Sequence, residues 1–250
     1  MKKLLFAMAL VASFLTSCGD DEFVLDPAAV GTAYYPLELG AFKIFNVEEN
    51  TYLNNTAESK TYQIRETFNE VFKDQTGKDW YRVEISRRET ETDSWRIIGV
   101  RTISKDPVNQ SSGSLLIKEN NRTVVGMVFP VLEGKAWNPN AFNTGYFPNP
   151  DDENLREEFS YKNVGKPFEA SGTTFLTTTT IVKSDFENVL AESRSYEVVS
   201  VNQGPVHRYY KLLNFCNSNS ENCDYQADEV YIVDGIERTE TMISSGKVDL

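Results

Sequence analysis

Apolar and polar residues alternate along much of this chain, and that period of two constrains its fold more than any other feature. Tyr62, Ile64, Phe68 and Phe72 fall on even positions between polar neighbours across residues 61–73. Successive side chains of a β-strand point to opposite faces, so the alternation predicts a half-buried strand and not a helix. A turn at residues 75–78 and apolar residues at 81, 83 and 85 predict its antiparallel partner.

The same pattern recurs towards the end of the chain. Asn120 and Asn121 tolerate left-handed backbone angles and predict a hairpin between strands at 114–118 and 123–129, and Asp234-Gly235 predicts another hairpin turn. Only residues 151–158 and 183–193 suit a short helix. Further strands are predicted at residues 42–47, 95–104, 159–164, 173–183, 195–201, 208–215, 229–233 and 236–243. We therefore expect a mainly β fold, an antiparallel open barrel or half-barrel of roughly ten to twelve strands with little helix.

The first residues carry the pattern of a secretory signal. Lys2 and Lys3 precede an apolar run at residues 4–15, which is shorter than the roughly 20 residues that a transmembrane helix needs. The run ends in Leu15-Thr16-Ser17-Cys18, which resembles the lipobox of bacterial lipoproteins. That resemblance implies cleavage before Cys18 and acylation of its thiol, so that acyl chains hold the protein on a membrane. An ordinary signal peptide with a chance cysteine is the alternative.

Acidic residues follow the cysteine directly. Gly19 precedes Asp20, Asp21 and Glu22, and this cluster resembles the export signal of Bacteroidota surface lipoproteins. The resemblance implies an outer-membrane lipoprotein facing the cell surface, with the periplasmic face as the alternative location and a solvated acidic linker as the plainer interpretation. We expect a signal peptide at residues 1–17, a lipidated anchor and tether at 18–33, and a single β-rich domain at 34–250.

Charge and cysteine content restrict the partners. Removal of residues 1–17 takes away Lys2 and Lys3 and no acids, so the net charge moves from −12 to −14. A chain this acidic binds nucleic acid poorly, because such binding requires Lys and Arg side chains that neutralise the phosphates. With Cys18 lipidated in an oxidising compartment, Cys216 and Cys223 predict a disulfide, and a metal site is the less favoured alternative because no histidine lies nearby.

Three segments resemble a pattern found in envelope and Bacteroidota lipoproteins. They are residues 35–40 (YPLELG), 129–137 (FPVLEGKAW) and 195–206 (SYEVVSVNQGPV). The resemblance implies a fold similar to the open β-barrel of the lipoprotein carriers LolA and LolB. It brings no catalytic residues with it, and it suggests as one alternative function the carriage of a lipid or another hydrophobic ligand.

The sequence offers little catalytic chemistry. His207 is the single histidine, it starts a predicted strand, and no nucleophile motif accompanies it. Asp151, Asp152 and Glu153 could hold Ca²⁺ but lack the spacing of a calcium loop. A glycan hydrolase with two carboxylates about 5–10 Å apart is the second alternative. We expect no cofactor, no metal and no enzymatic activity.

Aromatic residues at predicted loops and strand edges are the remaining candidates for binding. Trp137, Phe142 and Tyr146 could line a site for a hydrophobic ligand, a glycan or an envelope protein, as could Tyr34, Tyr35 and Phe147. Core packing is the commoner fate of such residues, and Trp137, beside a Pro- and Gly-containing turn, is expected to cap the core. The sequence therefore predicts a non-enzymatic binding or envelope-assembly module.

Overall fold

The predicted fold class is confirmed. The computed structural model describes residues 30–106, 113–143, 157–216, 223 and 230–249, which form one antiparallel sheet of twelve strands in the order β6-β5-β4-β3-β2-β1-β12-β11-β10-β9-β8-β7. The strands are β1 (Ala41–Leu53), β2 (Thr56–Lys73), β3 (Asp79–Arg88), β4 (Arg96–Lys105), β5 (Gly113–Glu119), β6 (Arg122–Phe129), β7 (Ala136–Trp137), β8 (Phe159–Ala170), β9 (Thr173–Glu187), β10 (Ala191–Ser200), β11 (Gly204–Phe215) and β12 (Ile232–Lys247). Among the described residues, a 3₁₀ turn at Thr32–Tyr34 precedes β1.

Contacts between the two edges of the sheet nearly close it into a barrel. The indole Nε1 of Trp137 donates to the carbonyl of Val125 at 2.8 Å, and the amide of Val125 donates to the carbonyl of Pro139 at 2.8 Å. The hydroxyl of Tyr161 donates to the Val128 carbonyl at 2.9 Å and accepts from its amide at 3.0 Å. Side chains thus satisfy backbone groups that an open edge would expose.

The inner face of the barrel is packed with side chains. Phe45, Val47, Val83, Ile103 and Met127 are fully buried there. A bulge between Phe68 and Glu70 interrupts the alternation of β2, so Phe68 pairs with buried Val83 whereas Phe72 pairs with Trp80. Phe72, which the sequence placed in phase with Phe68, therefore lies on the outer face.

A plug (residues 30–35) crosses the barrel end at which β1 begins. The Lys105 ammonium donates to the Thr32 carbonyl at 2.9 Å. The Asn202 amide donates to the Ala33 carbonyl at 2.8 Å, and the Val131 amide donates to the Val30 carbonyl at 3.1 Å. Tyr34 and Tyr35, which the sequence offered as candidates for a binding mouth with core packing as the commoner fate, are buried within this plug. Residues 30–33, assigned by sequence to the tether, thus belong to the folded domain.

The predicted hairpin turn at Asp234-Gly235 is wrong. β12 runs through both residues without a break, with Asp234 paired to Leu53 and Gly235 paired to Tyr52 and Leu213. A β-carbon on Gly235 would lie 2.6 Å from the Leu212 carbonyl oxygen. Glycine is required here because β11 approaches closely, not because the chain turns.

The helix that the sequence allowed at residues 183–193 is also wrong, because β9 and β10 form a hairpin there. The Asn188 side chain accepts from the amides of Leu190 and Ala191 at 2.8 and 2.9 Å and so fixes the turn. The other segment considered for a helix, 151–158, lies outside the described residues except at its last two positions. Asn120 and Asn121 do adopt positive φ between β5 and β6, as predicted.

Cys216 and Cys223 lie at disulfide distance, with their Cα atoms 6.0 Å apart, which confirms the predicted pair. Cys216 directly follows β11 and is buried. Within the described part of the chain, no helix has the length and apolarity needed to cross a membrane.

Candidate functional site

The centre of the barrel interior is a network of buried charges around Arg208. Its guanidinium lies 4.7 Å from the Phe45 ring and is bonded to three carboxylates. Nη1 donates to Glu66 at 2.8 Å and to Glu240 at 2.9 Å, and Nε donates to Glu197 at 3.1 Å. Because each acid comes from a different strand, the network ties β2, β10 and β12 to β11 across the interior.

Further cations complete the network. Arg101 approaches Glu66 at 2.6 Å, Lys183 donates to Glu197 at 2.8 Å, and Arg238 approaches Glu240 at 2.6 Å. Burial alone would raise the pKa of Glu66, but Arg101 and Arg208 outweigh it and hold that pKa at about 2. The same balance, through Lys183 and Arg208, lowers the pKa of Glu197. These acids are therefore ionised and fully engaged with cations at neutral pH.

Lys43 lies beside this network without joining it. Its ammonium is 5.8 Å from the ring centre of Tyr35, and none of the ion pairs among the described residues includes it. Burial lowers the pKa of Lys43 to about 7, although the negative charge of Glu66 opposes the shift. Keeping the Lys43 ammonium charged in these surroundings is costly in free energy, because the nearby carboxylates are already paired with other cations.

A groove on the outer face is the best candidate for binding. This β9–β10 groove has a volume of about 370 Å³. Tyr196 and Val198 of β10 pair with Val182 and Thr180 of β9, so their side chains share one face and form its floor. The lining residues are Asn163, Phe168, Thr180, Val182, Ser184, Asp185, Arg194, Tyr196 and Val198.

Aromatic rings extend from the groove across the next strand. Tyr196 stacks on Tyr209 with ring centres 5.3 Å apart, and its ring centre lies 5.9 Å from that of His207. The ring centre of Phe168 of β8 lies 5.2 Å from that of His207. Tyr196 and Phe168 thus present aromatic surfaces to the groove from two different strands, and the rings behind them hold both in place.

A break in β8 shapes one side of the groove. The pairing of β8 with β9 shifts between Lys162 and Lys166, and Asn163 has a φ of 58°. The Glu133 carboxylate accepts from the amides of Asn163 and Val164 at 3.1 and 2.8 Å. These bonds fix the irregular backbone, and the bond to Val164 is the main reason that the pKa of Glu133 is lowered. Strained residues held in this way are often part of binding sites.

Several polar groups of the groove have no partner among the described residues. The carboxamide of Asn163, the hydroxyl of Thr180 and the hydroxyl of Tyr196 take part in none of the hydrogen bonds between described side chains. Asp185 has only a distant ion pair, 3.9 Å from Lys162. The groove therefore combines aromatic walls with free donors and acceptors, the usual composition of a small-molecule site.

A second groove of about 360 Å³ opens on the outer face of β2–β5. Phe72, Trp80, Val100 and Lys118 are among its lining residues. Trp80 is fixed by a hydrogen bond of 3.0 Å from its indole nitrogen to Asp74. The indole is thus positioned by a tight turn, and Phe72 of β2 is the second aromatic residue of this lining.

None of the aromatic residues singled out by sequence that the structure describes lines this groove. Trp137 is buried in the core, as expected from the turn beside it, so it is not available to a ligand. Phe142 is 58% exposed on the loop that follows. Tyr146 and Phe147 lie outside the described residues, as do Cys18, Asp20, Asp21 and Glu22, and also Asp151, Asp152 and Glu153.

His207 is a packing residue on the outer face. Its Nδ1 lies 3.1 Å from the Thr241 hydroxyl, and burial lowers its pKa although Glu240 opposes that shift. It therefore supports Tyr196 from behind and is neutral near pH 7. No group of three or more potential metal ligands occurs among the described residues.

The sequence contains signals for the charge network around Arg208 and for the β9–β10 groove. Glu66 falls in phase with Ile64 and Phe68, and a charged residue on the buried face of a strand indicates a buried partner. Tyr196 and Tyr209 lie on predicted strands, but their contact depends on the register of β10 against β11. Comparison with known proteins does not add to this evidence, since no family model, no curated protein and no solved structure matches the chain.

Proposed function

We propose that the protein is a lipid-anchored outer-membrane lipoprotein that faces the cell surface and acts as a non-enzymatic binding module through the β9–β10 groove. The lipobox-like residues before Cys18 and the acidic cluster after it support the anchor and its location. The observation that carries the binding role is the groove itself, which places Tyr196 and Phe168 beside polar groups that have no partner among the described residues.

The interior is a weaker candidate for a hydrophobic ligand. The plug crosses one end of the barrel, and the charges around Arg208 occupy its centre. An apolar ligand placed there would have to separate these ion pairs or lie against them without compensating bonds, which is costly. We therefore assign ligand binding to the outer face and do not favour carriage of a lipid in the barrel.

The chemistry of the groove supports binding without turnover. Asp185 is the carboxylate among its lining residues, whereas hydrolysis of a glycoside in the ordinary way needs two. The interior acids Glu66, Glu197 and Glu240 are held by Arg208 and are used for structure. The groove offers surfaces and hydrogen-bonding groups but no general acid–base pair.

The binding role is tested by nuclear magnetic resonance of the folded domain with a panel of small ligands. The panel holds neutral sugars, a medium-chain fatty acid, a tripeptide and a nucleoside monophosphate. We expect at least one member to shift the amide signals of β9 and β10 around Val182 and Tyr196. Shifts confined to other surfaces, or none with any member at about 10 mM, would overturn the assignment of this groove.

The anchor is tested separately with full-length protein in cells. A fatty-acid label should be incorporated into the wild-type chain and not into Cys18→Ala, and Cys216→Ala serves as the matched cysteine control. Protease added to intact cells should degrade the wild-type domain. Equal labelling of Cys18→Ala would overturn the anchor, and protection from protease would overturn the outward location.

A further inference from the structure

The size of the β9–β10 groove limits its ligand. At about 370 Å³ it lies near the small end of ligand pockets, which span about 300–1,000 Å³. It is bounded by side chains from β8, β9 and β10, and both edges of β9 are already paired. A peptide strand therefore cannot add to β9, so the ligand is bound through side chains.

The polar groups of the groove suit hydroxyls. Asn163 offers both a donor and an acceptor, the Thr180 and Tyr196 hydroxyls can each do either, and Asp185 accepts. A sugar ring carries hydroxyls around its rim and C–H groups on its faces. The C–H faces pack on the electron-rich faces of aromatic rings such as Tyr196 and Phe168.

Other ligand classes fit less well. Arg194 is the cation of the groove, and it is already paired with Glu187 at 2.9 Å and Glu192 at 3.1 Å, so a phosphate would find no free positive charge. The net charge of −12 also repels anions. An acyl chain would leave the polar groups of Asn163, Thr180 and Tyr196 desolvated without partners.

We propose that the β9–β10 groove binds a neutral carbohydrate of one or two rings, which packs against Tyr196 and Phe168 and is recognised through Asn163, Thr180 and Asp185. This inference rests on the proposed function, which makes the groove the binding site. Glu133 acts as a positioning residue, because its carboxylate holds the backbone that carries Asn163.

The experiment is titration calorimetry of the folded domain with neutral mono- and disaccharides, beside the fatty acid, tripeptide and nucleotide of the same panel. The variants are Tyr196→Ala, which removes one aromatic wall, and Asn163→Asp, which keeps a residue that tolerates positive φ but removes the amide donor. Tyr210→Ala is the control, because Tyr210 is exposed on β11 outside the groove. Circular dichroism and the melting temperature check that each variant is folded.

We expect a sugar to bind, Tyr196→Ala to weaken its binding about tenfold, and Asn163→Asp to weaken it about three- to tenfold. Tyr210→Ala should bind as the wild type does. If a fatty acid or tripeptide binds in a Tyr196-dependent manner and no sugar does, the carbohydrate assignment fails but the groove remains the binding site. If a sugar binds equally well to folded Tyr196→Ala and to the wild type, both the assignment and the proposed site fail.

Discussion

The ionisation of Lys43 couples the stability of the fold to pH. The carboxylates that act on it, Glu66 and Glu197, already bind Arg101, Arg208 and Lys183. Burial accordingly lowers its pKa from 10.5 to about 7. Between these values the unfolded chain binds a proton that the folded protein does not, so this group makes stability rise with pH through that window.

We predict that Lys43→Met flattens the rise of the unfolding free energy between pH 7 and about 9.5. Lys105, whose pKa burial lowers to about 8, contributes in the same direction, so part of the rise should remain. Above that range the buried hydroxyl of Tyr35, whose pKa is raised by burial, makes the unfolding free energy fall as the pH rises. Urea unfolding at a series of pH values measures the effect, with exposed Lys60→Met as control. Identical pH profiles for Lys43→Met and the wild type would contradict the prediction.

A pair of substitutions on β2 separates a buried charge from an exposed one. Glu66 is 7% exposed and is bonded to Arg208 and Arg101, whereas Glu70 forms an exposed pair with Arg82 at 2.7 Å. We expect Glu66→Gln to cost about 3–5 kcal/mol, because it leaves buried guanidinium charge without a partner. Glu70→Gln should cost at most about 1 kcal/mol. Chemical denaturation measures both, and equal losses would show that the interior network does not stabilise the fold.

At the scale of the element, glycines in the strands serve packing more than turning. A β-carbon on Gly235 of β12 would lie 2.6 Å from both the Leu212 carbonyl oxygen and Cδ2 of Leu213. On Gly99 of β4 it would meet only Ile85, at 4.0 Å. Both glycines lie within strands, so they form a matched pair.

We predict that Gly235→Ala destabilises the protein by about 1–3 kcal/mol, because β11 has to move to admit the methyl group. Gly99→Ala should be neutral or stabilising by up to about 1 kcal/mol, since alanine restricts the unfolded chain. Melting temperatures of the two variants provide the comparison. A tolerated Gly235→Ala would mean that β11 and β12 are less tightly packed than their contact implies.

Most strands were predictable because alternation depends only on neighbouring residues. The errors came where a local signal has two physical causes. Asp234-Gly235 is a good hairpin sequence, but the same glycine permits close strand packing, and only the partner strand decides between them. The bulge after Phe68 is set by pairing with β3, so the outward position of Phe72 could not be derived from β2 alone.

For the whole molecule, the candidate site was less predictable than the fold. The groove depends on which strands are neighbours, on their register, and on the Glu133 carboxylate reaching a break in β8 about thirty residues away. None of these is a property of a short segment. The plug shows the same limit, because Tyr34 and Tyr35 look like exposed loop residues until the barrel end that they fill is known.

The Cys216–Cys223 link stabilises the molecule by restricting its unfolded chain. It closes a short loop after β11, with a sequence separation of 7. The chain-entropy relation gives about 2–3 kcal/mol for a loop of that length. We therefore expect Cys216→Ser to lower the unfolding free energy by that amount, and the reduced wild type to match the variant. Unfolding curves with and without reductant check this, and a reductant-insensitive wild type would contradict it.

The plug also determines how the barrel responds to a pull from its N-terminal side. Because residues 30–33 are bonded to Val131, Lys105 and Asn202, a load that enters before Val30 is shared among several strands at once. These bonds must break before the load reaches Ala41 and begins to peel β1 from β12. The end of the barrel that receives the chain is thus a mechanical clamp that resists such a pull.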